Sequence, residues 1–180
     1  MRGNCAVGFR EFCILFVSTV TPILSRMLQI TQARSAAELD VVRSLMREYQ
    51  QRLGVDLCFQ NFEAELAALP GSYEPPTGRL LLAHHDNQPV GCVALQRITR
   101  SRGEMKRLYV PPGARGLGVG RTLVSQILTE AQAIGYSEIV LDTLPNMVEA
   151  QRLYQQFGFR DIEPYRPNPI PGVRYLAKTL

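Results

Sequence analysis

The chain has 180 residues, of which 46% are hydrophobic and 20% charged, a composition typical of one globular domain with a buried core. The formal net charge is only +4 and no basic stripe is present, so the charge pattern does not indicate a nucleic-acid partner. The four cysteines form no C-x-x-C pair, which argues against a metal site and against a disulfide framework. Unpaired cysteines are typical of a reducing compartment, and we expect a cytoplasmic protein.

Residues 1–27 differ from the rest of the chain and are predicted to be an extension of a domain that spans 28–180. The apolar run Phe12–Val17 resembles a signal peptide only weakly, because the run is short and Pro22 interrupts the segment. In addition, no clear cleavage site of small residues follows it. The run is also too short for a transmembrane helix, so no membrane partner is expected. Met27 is followed directly by a strand-like segment, which is typical of a natural start. We expect a dispensable, disordered extension or a misplaced start codon, with a targeting segment as the alternative.

The domain begins with one strand candidate and two helix candidates. Residues 28–33 form the predicted strand, and Ser35 followed three residues later by Glu38 has the pattern of a capping box at a helix start. Apolar residues then recur at helical spacing, and Gly54 marks the expected end of this helix. A second, shorter helix is predicted over residues 59–69, before a loop that is rich in glycine and proline.

The later elements are three strands in succession, a long amphipathic helix that Gly135 ends, a buried strand, a helix that Asn146 opens, and two final strands. Asp86-Asn87 fits a hairpin turn between the first two of these strands. The order predicts an α/β (α+β) fold, with a mixed, mostly antiparallel, twisted sheet of six to seven strands flanked by about four helices. The predicted strands are 79–84, 89–98, 104–110, 139–144, 159–162 and 173–178.

The segment Arg115-Gly-Leu-Gly-Val-Gly-Arg121 lies between a predicted strand and a predicted helix and carries the strongest chemical signal. Glycine lets the backbone turn sharply and approach a ligand closely, and free N–H groups at a helix start bind anions. The two arginines add positive charge that suits phosphate groups. A Walker loop would need a lysine after the glycines. A dinucleotide fingerprint would need Gly-x-Gly-x-x-Gly, which differs from Gly116-x-Gly118-x-Gly120, and a leading parallel strand–helix–strand unit, which we do not expect at this turn.

With these residues the chain resembles the GNAT superfamily of N-acetyltransferases, whose diphosphate-binding motif is Arg/Gln-x-x-Gly-x-Gly/Ala. Arg115–Gly120 matches this motif, and Lys106–Pro111 resembles the strand that precedes it. Asn146 and the run Ala150–Phe159 resemble the later helix and its Phe-Gly-Phe exit. The resemblance covers about residues 28–180. It implies a GNAT-like sheet whose central strands splay apart, sometimes helped by a bulge.

The resemblance implies that acetyl-CoA is the cofactor, with CoA as the product and no metal. Backbone amides of the glycine turn would hold the diphosphate together with Arg121 and Thr122. The edge of the preceding strand would pair with the pantetheine arm, and Asn146 would contact that arm from the other side. The residues predicted to bind the cofactor are Leu108, Tyr109, Val110, Arg115, Gly116, Leu117, Gly118, Val119, Gly120, Arg121, Thr122 and Asn146.

Two residues are predicted to carry the chemistry. Tyr154 matches the family's general acid, a few residues before the Phe-Gly-Phe exit, although its helical spacing also suits a core aromatic. Glu104 begins the strand before the motif, where related enzymes often place a carboxylate that accepts the amine proton through water. An exposed structural glutamate is the alternative for Glu104. A main-chain N–H at Leu108 or Val110 would stabilise the oxyanion.

Five other polar residues near the predicted cleft have open roles. Asp142 ends a predicted strand and either binds a cationic acceptor or caps the turn that follows. Tyr165 and Arg166 belong to a proline-rich loop that is expected to border the acceptor pocket. Lys106 and Arg107 are neighbours on one strand, and strict alternation allows only one of them to face the acceptor side.

The leading interpretation is transfer of an acetyl group from acetyl-CoA to the primary amine of a small-molecule acceptor, by direct attack in a ternary complex. The alternatives are a non-catalytic CoA-binding or regulatory module, and acetylation of a protein N-terminus or lysine. In related proteins the first helices and loops build the acceptor pocket, here about residues 51–76, and these carry no motif that identifies the acceptor. Neither nucleic acid nor a membrane is an expected partner. A homodimer is one expectation, because dimers are frequent in this family.

Overall fold

The computed structural model describes residues 28–54 and 61–180, and the predicted extension 1–27 lies outside these ranges. Within them, seven strands form one mixed sheet and four α-helices flank it, as the sequence predicts. No helix in these ranges is both long enough and apolar enough to cross a membrane. The strands are β1 Leu28–Gln32, β2 Arg79–His85, β3 Gln88–Arg97, β4 Arg102–Tyr109, β5 Glu138–Thr143, β6 Arg160–Asp161 and β7 Arg174–Thr179, and the helices are α1 Ala36–Leu53, α2 Phe62–Ala68, α3 Val119–Ile134 and α4 Val148–Gln156.

Helix α1 begins with the predicted capping box. The backbone N–H of Glu38 donates to Oγ of Ser35 at 3.3 Å, and the backbone N–H of Ser35 donates to Oε2 of Glu38 at 2.9 Å. The helix ends at Gly54, which has a left-handed backbone with φ of 67°. Both ends of α1 are therefore set by local residue chemistry.

The sheet has the strand order β1-β2-β3-β4-β5-β7-β6. Strands β1 to β4 form an antiparallel meander, and Asp86 and Asn87 make the predicted two-residue turn between β2 and β3 with φ of 51° and 62°. Aspartate and asparagine tolerate this left-handed region better than most residues, which fits the hairpin. Helix α4 begins at Val148 rather than at Asn146, which lies in the preceding turn.

Alternate residues of β3 face two separate hydrophobic cores. Val93 and Leu95 pack in the core under α3 and α4, whereas Cys92 and Ala94 pack in the core under α1 and α2. All four side chains have 0% exposure, so β3 is buried on both faces. Burial also raises the pKa of the Cys92 thiol to about 12, which fits the prediction of a small core residue.

Strands β4 and β5 run parallel and are joined through α3, so they form a strand–helix–strand unit. The expectation that no such unit would accompany the glycine turn is wrong, and the spacing of the glycines alone separates this turn from a dinucleotide fingerprint. The two strands pair only from Arg102 to Glu104, opposite Glu138 to Val140. Beyond Glu104 no ladder joins them, and a cleft opens between the strands. The predicted splay of the central strands is confirmed.

A bulge in β4 lies next to this cleft. Lys106 pairs with Ala94 and Tyr109 pairs with Cys92, so β4 has one more residue than β3 over this interval. Arg107 has φ of 55°, a conformation that costs free energy for a non-glycine residue. The bulge breaks the alternation of side chains, and Lys106 and Arg107 both lie towards α2. The expectation that only one of them would face that side is therefore wrong.

Candidate active site

The glycine turn forms a left-handed entry to α3. Gly116 and Gly118 have φ of 83° and 76°, and a Cβ added at either position would meet no protein atom within 4 Å. Gly118 is the N-cap of α3, and none of the described side chains caps the helix there. In the described part of the chain, the backbone N–H groups from Gly116 to Arg121 have no hydrogen-bond acceptor, and the first paired amide is that of Thr122. An uncapped N-terminus with several free amides is a binding site for an anion such as a phosphate group.

Two arginines flank this turn. Arg115 is exposed, and its Nε lies 3.5 Å from the carbonyl oxygen of Val110. Arg121 points along the surface towards α4, where its guanidinium lies 5.6 Å from the ring centroid of Phe157 and donates to the side chain of Gln156. Arg115 and Arg121 border the free amides in the chain, and their positive charges add to that of the helix N-terminus, although the side chain of Arg121 is held against α4.

The cleft between β4 and β5 leads away from the glycine turn. Residues 105–108 of β4 line one wall, and Asp142 and Thr143 of β5 line the other. Oγ1 of Thr143 is buried, and no hydrogen-bond partner for it exists among the described residues. Buried hydroxyls are nearly always paired, so this oxygen is a group that a ligand in the cleft would satisfy. Asn146 is exposed and does not line the cleft, whereas its neighbour Met147 does.

Tyr154 of α4 lines the cleft. Its ring packs 5.7 Å from that of Phe159 in the core under α3 and α4, and its phenol lines the cleft. Tyr154 is therefore a core aromatic that also borders the cleft, and its role as general acid stays a prediction. Burial raises the pKa of the Tyr154 phenol, and the nearby Tyr49 and Asp142 raise it further. The phenol is protonated at neutral pH and has no hydrogen-bond partner in the parts of the chain that the structure describes.

Glu104 is buried rather than exposed, with 1% of its surface accessible, so the alternative of an exposed glutamate is wrong. Its carboxylate accepts hydrogen bonds from the Tyr165 hydroxyl at 2.7 Å and from the Gln96 side-chain amide at 2.6 Å, and it pairs with Arg166 at 2.9 Å. Because β4 begins at Arg102, Glu104 lies inside the strand, beneath the loop that carries Tyr165. These three protein donors surround the carboxylate and fix it in one position.

Asp142 belongs to the same network. One of its oxygens accepts a hydrogen bond from Arg166 at 3.0 Å, and the other accepts from Asn168 at 2.9 Å. Both oxygens therefore bind side chains of one loop, and the expected binding of a cationic acceptor by Asp142 stays a prediction. Together Glu104 and Asp142 anchor the loop of residues 163–172 beside the cleft, where Asn168 and Ile170 complete the lining.

Sequence reasoning missed three residues of this region. Thr143 follows Asp142 at the end of a buried strand, and a polar residue at that position is a signal that was open to sequence analysis. Asn168 lies in a proline-rich loop whose path the sequence does not determine. Glu65 pairs with Arg107 at 2.6 Å from a helix 42 residues earlier, and nothing in the spacing indicates this contact.

Comparisons with known proteins agree with this geometry. Residues 40–159 match the family model described as the acetyltransferase (GNAT) family. An uncharacterized N-acetyltransferase of Schizosaccharomyces pombe is 43% identical over 151 residues, covering 83% of this chain and 93% of the relative. An IAA acetyltransferase of Azospirillum brasilense is 35% identical over 158 residues, covering 86% of this chain and all of the relative.

Solved structures share this fold, and some of them contain acetyl-CoA or coenzyme A. The crystal structure of the PaiA N-acetyltransferase from Thermoplasma acidophilum in complex with coenzyme A has a TM-score of 0.68 at 18% identity. The match covers 86% of this chain and 99% of that protein. At this identity the match supports the fold alone, whereas the family model and the curated relatives identify the family. The chain described here belongs to the GNAT family of acetyltransferases.

Proposed function

We propose that this protein transfers the acetyl group of acetyl-CoA to the primary amine of a small-molecule acceptor, within a complex that holds both substrates. The observation that carries the proposal is the row of free amides at the start of α3, which opens beside the unpaired edge of β4. A diphosphate on these amides would be in line with a pantetheine arm along the strand edge. The coenzyme A in the PaiA structure supports this choice of donor.

The residues of the cleft fit such a donor. Acetyl-CoA supplies an activated acetyl group as a thioester. Arg115, Arg121 and Thr122 stand around the free amides, where they would neutralise and bind the diphosphate. The edge from Leu108 to Val110 lies beyond the last β4–β5 pair, so its backbone groups are available to an added strand-like ligand. The unpaired Oγ1 of Thr143 faces this edge from β5.

Tyr154 is our candidate for the general acid. In the reaction a C–N bond forms, the thioester C–S bond breaks, and the departing thiolate needs a proton. The Tyr154 phenol is protonated, unpaired and in the cleft, so it has a proton to give once negative charge develops on the sulfur. A main-chain N–H at Leu108 or Val110 is our candidate donor to the carbonyl oxygen, where negative charge develops as the amine attacks.

The acceptor ammonium must lose a proton before it attacks. Glu104 was predicted to take this proton through water, and that role stays a prediction. Three protein donors already occupy the Glu104 carboxylate, which favours a positioning role in which Glu104 holds the 163–172 loop against the cleft. The two roles differ in the kinetic constant that Glu104→Gln changes. Loss of a base lowers kcat and leaves KM for the acceptor near its wild-type value, whereas loss of a residue that positions the 163–172 loop raises KM for the acceptor.

A thiol-release assay tests the proposed function. Purified protein, acetyl-CoA and a panel of free amines, polyamines, amino acids and peptides are combined, and released CoA thiol is measured alongside N-acetylated product by mass spectrometry. We expect thiol and acetylated amine in equal amounts for at least one small amine. If the protein binds acetyl-CoA but releases thiol only at the rate of thioester hydrolysis with every amine, the proposal is wrong.

A further inference from the structure

Lys106 lies where two depressions of the surface meet. One depression is the cleft between β4 and β5, and the other lies on the α2 side of the sheet. The second depression is lined by α2, by residues 70–73, and by Gln96 and Lys106, and its volume of about 340 Å³ is within the range of small-molecule sites. Lys106 is therefore placed to contact an acceptor molecule whose body occupies this depression and whose reactive end enters the cleft.

The charged neighbours of Lys106 are paired with one another. Glu65 holds Arg107 at 2.6 Å, and Arg166 holds Glu104 at 2.9 Å and Asp142 at 3.0 Å. In contrast, no carboxylate lies within salt-bridge distance of the Lys106 ammonium in residues 28–54 and 61–180. Arg107 and Arg166 are thus already paired with protein carboxylates. Of these three cations, Lys106 is the one whose hydrogen-bond donors have no carboxylate partner among the described residues.

The position of Lys106 makes an unpaired ammonium unfavourable. Burial lowers the pKa of Lys106, and the positive charge of Arg107 lowers it further, while Glu104 and Glu65 act in the opposite direction from a distance. A partly buried cation without a contacting partner costs free energy that an incoming anion would offset. An ammonium with three free donors binds a carboxylate well, because charge-assisted hydrogen bonds are among the strongest in proteins.

We propose that the acceptor carries a carboxylate as well as the reacting amine, and that Lys106 binds this carboxylate and directs the amine into the cleft. The inference rests on the proposed function and adds the chemical class of the substrate, an amino acid or a related amino-carboxylate. Lys106 then acts in specificity, and the acetyl transfer itself uses the residues described above.

The test compares each amino acid with the amine that remains when its carboxylate is removed, such as phenylalanine with phenethylamine and lysine with cadaverine. We expect the wild-type protein to prefer the amino acid of an accepted pair by about tenfold or more in kcat/KM, since hydrogen bonds to charged groups contribute this much. In Lys106→Met the ratio should fall towards one, mainly through KM. In Lys106→Arg, which keeps a fixed positive charge, most of the preference should remain. Far-UV circular dichroism and urea unfolding establish that each variant is folded.

Three results would overturn the inference. If the wild-type protein turns over the carboxylate-free amines as well as the amino acids or better, the acceptor does not need a carboxylate. The proposed acetyltransferase function is unaffected by that result. Equal loss of kcat in Lys106→Met and Lys106→Arg, with the ratio unchanged, assigns Lys106 to proton transfer instead, because arginine cannot give up its proton. Absence of turnover with every pair, while acetyl-CoA binds, removes the inference together with the proposed function.

Discussion

Two helix N-termini of this protein are built in opposite ways. The first turn of α1 is closed by Ser35 and Glu38, whose side chains pair with each other's backbone N–H groups. The first turn of α3 has Gly118 at the same position, and no side chain from residues 28–54 or 61–180 caps it. Both helices are long and pack on the sheet, so packing does not explain the difference. An N-terminus that the chain leaves uncapped is available to an external anion, and this is the basis of the proposed cofactor site.

The C-terminal end of α3 sharpens the comparison. Gly135 also has a left-handed backbone, with φ of 97°, and an added Cβ would meet nothing within 4 Å. Its backbone N–H nevertheless donates to the carbonyl oxygen of Gln132 at 2.9 Å, and the next amide donates to Ala131. Helix α3 thus has a glycine at each end. Gly135 closes the C-terminal end with hydrogen bonds inside the protein, whereas the amides at the Gly118 end are free to bind a ligand.

The largest expected effect is that of Gly118→Glu on the affinity for CoA. A carboxylate at the open terminus repels a phosphate by about 4 kcal/mol at 4 Å separation near a protein surface, so we expect a loss of about 100-fold or more. The matched control is Gly135→Glu, which imposes a similar backbone strain at the closed end and should retain the wild-type affinity. Isothermal titration calorimetry measures both. If the two variants bind CoA with equal affinity, the N-terminus of α3 is not the diphosphate site.

Tyr154→Phe should affect turnover and leave binding intact. In our proposal the diphosphate binds at the α3 terminus and the Tyr154 hydroxyl acts on the departing thiolate, so loss of this hydroxyl should remove only a proton donor. We expect kcat to fall by about 100-fold, a typical loss for a general acid. The dissociation constant for CoA should stay within a factor of about two. Unchanged kcat would make Tyr154 a core residue alone.

Ser35→Ala should have the reverse profile. It removes the side-chain cap of α1, which should lower the free energy of unfolding by about 1 kcal/mol. The affinity for CoA should not change, because our proposal places CoA at the α3 terminus and the α1 terminus is already capped by Ser35 and Glu38. Urea denaturation and calorimetry measure the two quantities. A weaker affinity for CoA in this variant would show that α1 capping and the cofactor site are coupled.

The smallest effect concerns the pH dependence of the same cap. Hydrogen bonds from the backbone N–H groups of Ser35 and Arg34 hold the pKa of Glu38 below its usual value of 4.5. A lowered folded-state pKa stabilises the protein above the unfolded-state value, and this contribution is lost as the pH falls through the folded-state value. The stability difference between wild type and Glu38→Gln should therefore shrink between about pH 5 and pH 3. A difference that is constant over this range would contradict the assignment.

Sequence alone was sufficient where neighbouring residues determine the structure. The cap of α1, the Asp86-Asn87 turn and the glycine entry to α3 each follow from residue types a few positions apart. The order of strands and helices gave the mixed sheet, and the family motif led to the splayed strands. These features depend on backbone preference and hydrophobic period, which can be seen in the sequence itself.

Two features that sequence reasoning did not place depend on contacts between distant segments. The family resemblance implies a bulge only in general, whereas its position at Arg107 accompanies an ion pair with Glu65, 42 residues away, and puts Lys106 and Arg107 on the same side. Glu104 is buried because Tyr165, 61 residues later, folds back over it. Neither the alternation rule nor strand position contains this information, since both describe a regular strand in isolation.

Amide-resolved hydrogen exchange by NMR, with and without CoA, tests the central claim most directly. If the free N–H groups at the start of α3 bind the diphosphate, CoA slows the exchange of the amides from Gly118 to Arg121. The amides in the first turn of α1, which the protein already caps, keep their rates. Exchange at the α3 terminus that is equally fast with and without saturating CoA would contradict the account.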